Sequence, residues 1–264
     1  MIPDPAAPPL ALLDRFRGSL LGIALGEQIG SQQWASAAAA PSVWQQIALA
    51  TARYLSSRGD WSADGLCAEL QREQPALLQS RGCAQPGEAA LATLPIALFF
   101  HDDWALARAR LQDGACLWQQ PSEPSEEVLA WGIAITRELA ASAPGGASSE
   151  NATSSLAMAT DAALALAWEC YQLTPTAARL CVARAARARE REALAAALAG
   201  ALAGSHSGWS GIPIAWRVAL RHASHFPALE AAASQLLAGW SGAAAPGEAL
   251  ARAAVAAPGG LRSG

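Results

Sequence analysis

Several groups of side chains in this 264-residue sequence have types and spacings suited to chemistry. His101, Asp102 and Asp103 set an imidazole beside two carboxylates, a combination able to bind a metal or pass a proton. Either aspartate also suits the N-cap of a helix beginning at Trp104, and that capping role is the expectation. His222 and His225 stand three apart on one helical face, but no cysteine or acid joins them at a metal-ligand spacing. Both, with His206, are expected at the surface. Ser207-Gly208-Trp209-Ser210-Gly211 lacks the Gly-x-Ser-x-Gly order of a nucleophile elbow, and Gly208 and Gly211 are expected to shape a turn. The five cysteines, Cys67, Cys83, Cys116, Cys170 and Cys181, are widely spaced and never form CxxC, so reduced thiols are expected rather than a zinc site or disulfide framework. All 18 basic residues are arginine, which removes Schiff-base and P-loop lysine chemistry.

The elements that must position these groups read as helices. Alternating strand patterns are missing, and apolar residues recur at helical spacing between Pro, Gly and Ser clusters, which predicts an all-α fold. Leu10 to Gly30 reads as one long helix or a helix pair. Its Gly18, Gly22, Gly26 and Gly30 recur every four residues, a spacing that lines one side of a helix and lets another backbone approach closely. Further helices are predicted over Pro41 to Arg58, from Ser62 with Asp64 in the first turn, over Pro86 to Phe100, from Trp104 to Leu117, and from Ser122 to Ser125 onward. After a Ser- and Gly-rich loop near 142–155 come Leu156 to Tyr171, Thr176 to Arg187 and Glu190 to Gly204, then a looser region from Ser205 to Pro213 and more helix to Ala256. Gly200 and Gly204 have the small-xxx-small spacing of a helix that crosses another at short distance. The domain is expected over 10–257, between a flexible segment 1–9 and a tail 258–264.

Composition narrows the function. With 52% apolar and 15% charged residues and a mean hydropathy of +0.18, the chain is not expected to be disordered. A net charge of -4 argues against nucleic acid as a partner. No apolar run reaches the roughly 20 residues of a bilayer span. Met1 to Pro9 carries no basic stretch followed by an apolar one, so no signal peptide, no membrane partner and a cytoplasmic location are expected.

Arg15-Phe16-Arg17-Gly18-Ser19-Leu20-Leu21-Gly22, followed by Gly26-Glu27-Gln28-Ile29-Gly30, resembles the opening RxxGxLLGxAxGDAxG of the ADP-ribosylglycohydrolase family, of the dinitrogenase reductase-activating glycohydrolase type. Gly87 to Phe100 is similar to that family's Gly-x-Ala-x-x-x-x-x-Pro-Ile segment. Ala195 to Gly204, with Ile212-Pro213 and Trp216, is similar to its AAIAGALAGAxxGxxxIPxxW stretch. The resemblance implies a compact all-α domain that removes ADP-ribose from modified side chains with two magnesium ions. In the family these are held by a Thr-Asp-Asp-Thr motif and by an Asp-Thr-Asp-Thr motif that opens the late glycine-rich helix.

Magnesium needs hard oxygen ligands. Here Ser42, Val43, Trp44 and Gln45 fall on the first motif, and Arg191, Glu192, Ala193 and Leu194 on the second. Only Glu27 keeps an acid in kind, at the aspartate of GDAxG. The resemblance therefore implies a pseudoenzyme that has lost the metal centre, needs no cofactor, and binds a protein partner or a nucleotide-like small molecule. Glu27, Trp44, Arg191, Gly208 and Trp209 are the candidate ligand contacts. Arg191 is either a fixed charge that fills the space of the lost cation, paired with Glu27 or a ligand phosphate, or a solvated residue of an arginine-rich helix start. A metal-independent hydrolase using Glu27, Glu192 or the Asp102 and Asp103 pair stays open, as does a structural subunit with a vestigial cleft. Trp34, Trp44, Trp209 and Trp216 are expected near that cleft, filling it or lining an apolar pocket.

Overall fold

A helix with a glycine at every fourth position offers a groove of bare backbone, and the chain fills it with a second helix. The computed structural model describes residues 11–32, 40–120, 125–140, 156, 158–187 and 191–243. The expected flexible segment, the whole of the loop near 142–155, Trp34 and the tail lie outside them. The described residues form eleven α-helices and one 3-10 turn over Pro75–Ser80, with no strand. The first helix, α1 (Leu12–Gly30), is single and unbroken. It lies antiparallel against α9 (Glu192–Ser207), the most extensive helix contact in the molecule. A Cβ on Gly18, Gly22 or Gly26 would collide with the carbonyl oxygen of Gly204, Gly200 or Ala196 respectively. On Gly30 it would run into the backbone of Ala193.

Around this pair the remaining helices pack on one another. α2 (Val43–Arg58) packs against α4 (Pro86–Phe99) and α11 (Phe226–Trp240), and α11 against α1. α6 (Glu126–Ala140) packs against α4 and α9, while α7 (Ala162–Leu173) and α8 (Ala178–Ala185) pack against α9 and each other. The periphery is completed by α3 (Ala63–Glu73), α5 (Trp104–Trp118) and α10 (Ile214–Arg221). Apart from Glu88, every residue of α4 from Gly87 to Phe99 is buried, as expected for a helix that is apolar all round and surrounded by others. Trp118 and Trp131 anchor the same core.

Local signals place the helix ends. Ser62 accepts from the Gly65 amide, and Asp103 from the Leu106 amide, so the cap ahead of Trp104 is Asp103. His101 is held separately. Its Nδ1 is 2.8 Å from the Leu98 carbonyl, its ring packs between Phe16 and Trp240, and burial lowers its pKa. Two boundaries differ from the sequence reading. The helix expected from Leu156 runs from Ala162, because Asp161 caps it by accepting from the amides of Ala163 and Leu164. The late helix continues past Ser205 to Ser207 and stops at Gly208, whose φ of 68° suits a glycine.

Candidate functional site

The C-terminal end of α1 meets the N-terminal ends of α2 and α9, and this is where the sequence places the altered metal motifs. Arg191 stands immediately before α9, in the left-handed region with φ of 54°. Its Nη1 donates to Asp161 Oδ2 at 3.0 Å and its Nη2 reaches Glu88 Oε1 at 3.1 Å. Asp161 is buried and also accepts from the Gly87 amide at 3.2 Å. The guanidinium thus bridges α4 and α7 at the head of α9. It is neither a freely solvated residue nor a partner of Glu27, two of the roles considered from sequence beside that of a contact to a ligand phosphate.

Glu27 is committed elsewhere. Ser42, the N-cap of α2, donates its hydroxyl to Glu27 Oε1 at 2.5 Å and its amide to Oε2 at 3.4 Å, while its hydroxyl oxygen accepts from the Gln45 amide. Burial pushes the Glu27 carboxyl up to about 7, against the opposing effect of the two bonds from Ser42. Behind this pair is a cavity of about 20 Å³ lined by Glu27, Gln28, Ser31, Gln45 and His225. Gln28 is 4% exposed and Gln45 2%, yet both amide atoms of Gln28 and Nε2 of Gln45 lack a hydrogen-bond partner. Both ring nitrogens of the half-buried His225 lack one too, and burial lowers its pKa. His225 is therefore not a surface histidine.

At the opposite end of the same helix pair several polar groups find partners, although Nε of Arg15 and Nε of Arg17 are buried without one. Gly208 turns the chain so that the Trp209 amide donates to the Asp14 carbonyl at 2.8 Å. Ser210 donates its hydroxyl to Asp14 Oδ2 at 2.6 Å. Trp209 is buried against Phe226. Nearby, His206 Nδ1 lies 2.7 Å from Glu138 Oε2 and 3.3 Å from the Tyr171 hydroxyl, so the half-buried His206 belongs to a polar network. Arg15 donates to the Glu138 carbonyl. Burial works against the charge of Glu138, but His206 and Tyr171 outweigh it and hold the carboxyl below its usual range. Burial and the neighbouring Glu138 charge raise Tyr171.

The candidate residues therefore separate into two places. Glu27 and Asp14 are thirteen positions apart on one helix, roughly 20 Å at 1.5 Å per residue. Gly208 and Trp209 accordingly do not share a site with Glu27, Ser42 and Arg191. Trp44 stands on the first turn of α2, edge-on to Trp118 at 6.4 Å, packed on the core. Glu192 lies in the first turn of α9, next to Arg191. Asp161 is what sequence reasoning missed altogether, whereas Gln28, Gln45 and His225 were named there but not as buried groups without partners. A signal existed for Asp161, an N-cap aspartate ahead of an apolar run, and for Gln28, a polar residue four positions after Ala24 on an otherwise apolar face.

The residues present do not fit the dinuclear magnesium centre that the resemblance implies. Val43, Trp44, Ala193 and Leu194 offer no side-chain oxygen, and Arg191 carries a positive charge already balanced by Asp161 and Glu88. Among the described residues, no group of three or more His, Cys, Asp or Glu side chains is arranged to hold a metal ion. No described helix is long and apolar enough to cross a membrane.

Comparison with known proteins gives the fold a context. No protein-family model matches the sequence, and no curated protein matches it. A solved structure described as an ADP-ribosylglycohydrolase-related protein complex superposes with a TM-score of 0.60 at 18% identity, covering 88% of this chain and 99% of that one. The all-α architecture is thus that of an ADP-ribosylglycohydrolase-like fold.

Proposed function

We propose that this chain is a binding protein built on the ADP-ribosylglycohydrolase-like fold, one that acts without magnesium-dependent hydrolysis. The observation that carries this reading is the Arg191 bridge. Where the resemblance puts an aspartate that would hold a metal, a guanidinium is clamped between Asp161 and Glu88. A dication at this position would meet a fixed positive charge, and its carboxylate partners are already used. The substitution keeps the local charge balance of a cation among carboxylates while removing the Lewis acid and the water it would activate. The ligand is then a protein partner or a nucleotide-like small molecule, met in the cytoplasm.

A second reading is favoured by one observation, the Glu27 carboxyl near 7. A carboxyl that titrates near neutral pH suits a general acid, as glycoside cleavage requires. Release of ADP-ribose from an arginine-ADP-ribosylated protein, with magnesium and then with EDTA, separates the two. No turnover in either condition supports the binding reading. Turnover that survives EDTA and is lost in Glu27→Gln replaces it with metal-independent hydrolysis. Magnesium-dependent turnover overturns both.

A further inference from the structure

A peripheral helix ordinarily shows polar side chains to water, and α10 does the reverse. Its outer face carries Ile214, which is 70% exposed, then Ala215 and, one turn on, Val218, while Arg221 and His222 close the same face at its C-terminal end. No aspartate or glutamate occurs between Glu192 and Glu230, so this face is apolar and basic in a chain whose net charge is -4. The head of α5 is its chemical counterpart. Asp102 and Asp103 are exposed there and lead directly into Trp104, which is 51% exposed, and into exposed Ala105 and Leu106. Asp103 is engaged in capping the Leu106 amide, whereas neither Asp102 nor Arg221 enters a salt bridge among the described residues.

Single exposed apolar residues are ordinary on a protein surface, but a run of them joined to an unpaired charge marks an interaction site. Here there are two such runs, of opposite sign and opposite order. Along the chain α10 passes from apolar to basic, and the head of α5 from acidic to apolar. Laid antiparallel, they set Ile214 and Val218 against Trp104 and Leu106, and Arg221 and His222 against Asp102. Within one molecule both runs face water, so the contact is open to a second copy. Both also belong to the same end of α1. The ring of His101, next to Asp102, packs edge-on to Phe16, and Ser210, four positions before Ile214, is bonded to Asp14. A two-fold axis at that end would form the contact twice, once in each direction. We propose that this chain pairs with a second copy of itself, the head of α5 in each copy docking on α10 of the other. The pairing is independent of whether the fold binds or hydrolyses ADP-ribose.

Analytical ultracentrifugation of the full chain tests this. Two small patches make an interface at the weak end of the specific range, so a reversible dimer with a Kd of roughly 10 to 100 µM is expected. Ile214→Glu should weaken it by about tenfold or more, because the apolar contact then buries a charge. Asp102→Arg and Arg221→Glu should each do the same by setting like charges together. All of these positions are exposed, so melting curves matching that of the wild type should show that the variants fold. The sharpest arm mixes Asp102→Arg with Arg221→Glu in equal amounts. In the mixed pair one contact carries both changes, with its charges exchanged, and the other is wild type, so association should return to within about threefold of the wild-type value. A wild-type chain that stays monomeric at about 0.5 mM overturns the proposal and leaves the α10 face to a different partner. A dimer that all three variants leave unchanged overturns it by placing the contact elsewhere. Failure of the mixture to restore association overturns the pairing of α5 with α10.

Discussion

The two ends of the α1–α9 pair are built from similar side chains that are paired to different degrees. At the Asp14 end, acids, serine, histidine and tyrosine form networks in which Asp14 holds Ser210 and Glu138 holds His206, with Nε of Arg15 and Arg17 left over. At the Glu27 end, a carboxyl titrates near neutrality and the amide atoms of two buried glutamines lack partners. Paired polar groups stabilise a fold, whereas buried unpaired ones cost stability. The chemistry-bearing residues alone would not have separated the ends, since each has an acid, a serine and a histidine.

The comparison depends on the seam that joins the two ends, so breaking the seam has the largest expected effect. In Gly22→Val the new side chain would collide with the Gly200 backbone, which cannot rotate away. Overpacking of this kind should cost about 3 kcal/mol or more, measured by chemical denaturation. Next comes the Glu27 carboxyl. Its pKa is raised from 4.5 to about 7 in the folded chain, so the folded state holds the proton more tightly than the unfolded state does. Stability should therefore be greatest below pH 4.5 with respect to this group and fall as the pH rises to 7, by roughly 3 kcal/mol in all. Glu27→Gln should flatten that slope and be the more stable protein at pH 8, as denaturation curves at pH 4.5 and pH 8 would show.

A smaller change is expected from Arg191, because its side chain is 34% exposed and solvent weakens its ion pairs. Arg191→Ala should cost about 2 kcal/mol by leaving the buried Asp161 carboxylate without its cation. Arg191→Gly should cost about 1 kcal/mol less than Arg191→Ala, since glycine adopts φ of 54° without strain. Equal losses in the two variants would show that the left-handed backbone carries no strain. The smallest effect belongs to the Asp14 end. Asp14→Ala should cost about 1 kcal/mol through the lost bonds to Ser210 and leave the Gln28 and Gln45 amide resonances unmoved. Movement of those resonances would mean that the two ends are not independent.

Much of the fold could be read from local spacing. The four glycines of α1 and the pair at Gly200 and Gly204 follow a helical period within a few turns, and the structure sets them against each other as that spacing predicts. Ser62 and Asp103 announce their helices from the position immediately ahead of them. The site was less legible, for two physical reasons. Arg191 finds Asp161 and Glu88 across 30 and 103 positions of chain, and no periodicity reports such a meeting. The glutamines carry no charge and belong to no nucleophilic or metal motif, so their importance arises only from burial without partners. The reverse error occurred at Gly208 and Trp209, which motif order set beside the candidate cleft and helix length carries to the far end.

The glycine seam also has a mechanical meaning. An interface padded with leucines can absorb a push by changing rotamers, whereas one in which backbone rests on backbone has no cushion. Between Gly18 and Gly30 the two helices form a stiff double beam. A torque applied where Asp14 grips Ser210 would arrive at Ser42 and Arg191 as rotation of the whole beam, with little lost to local yielding along the way.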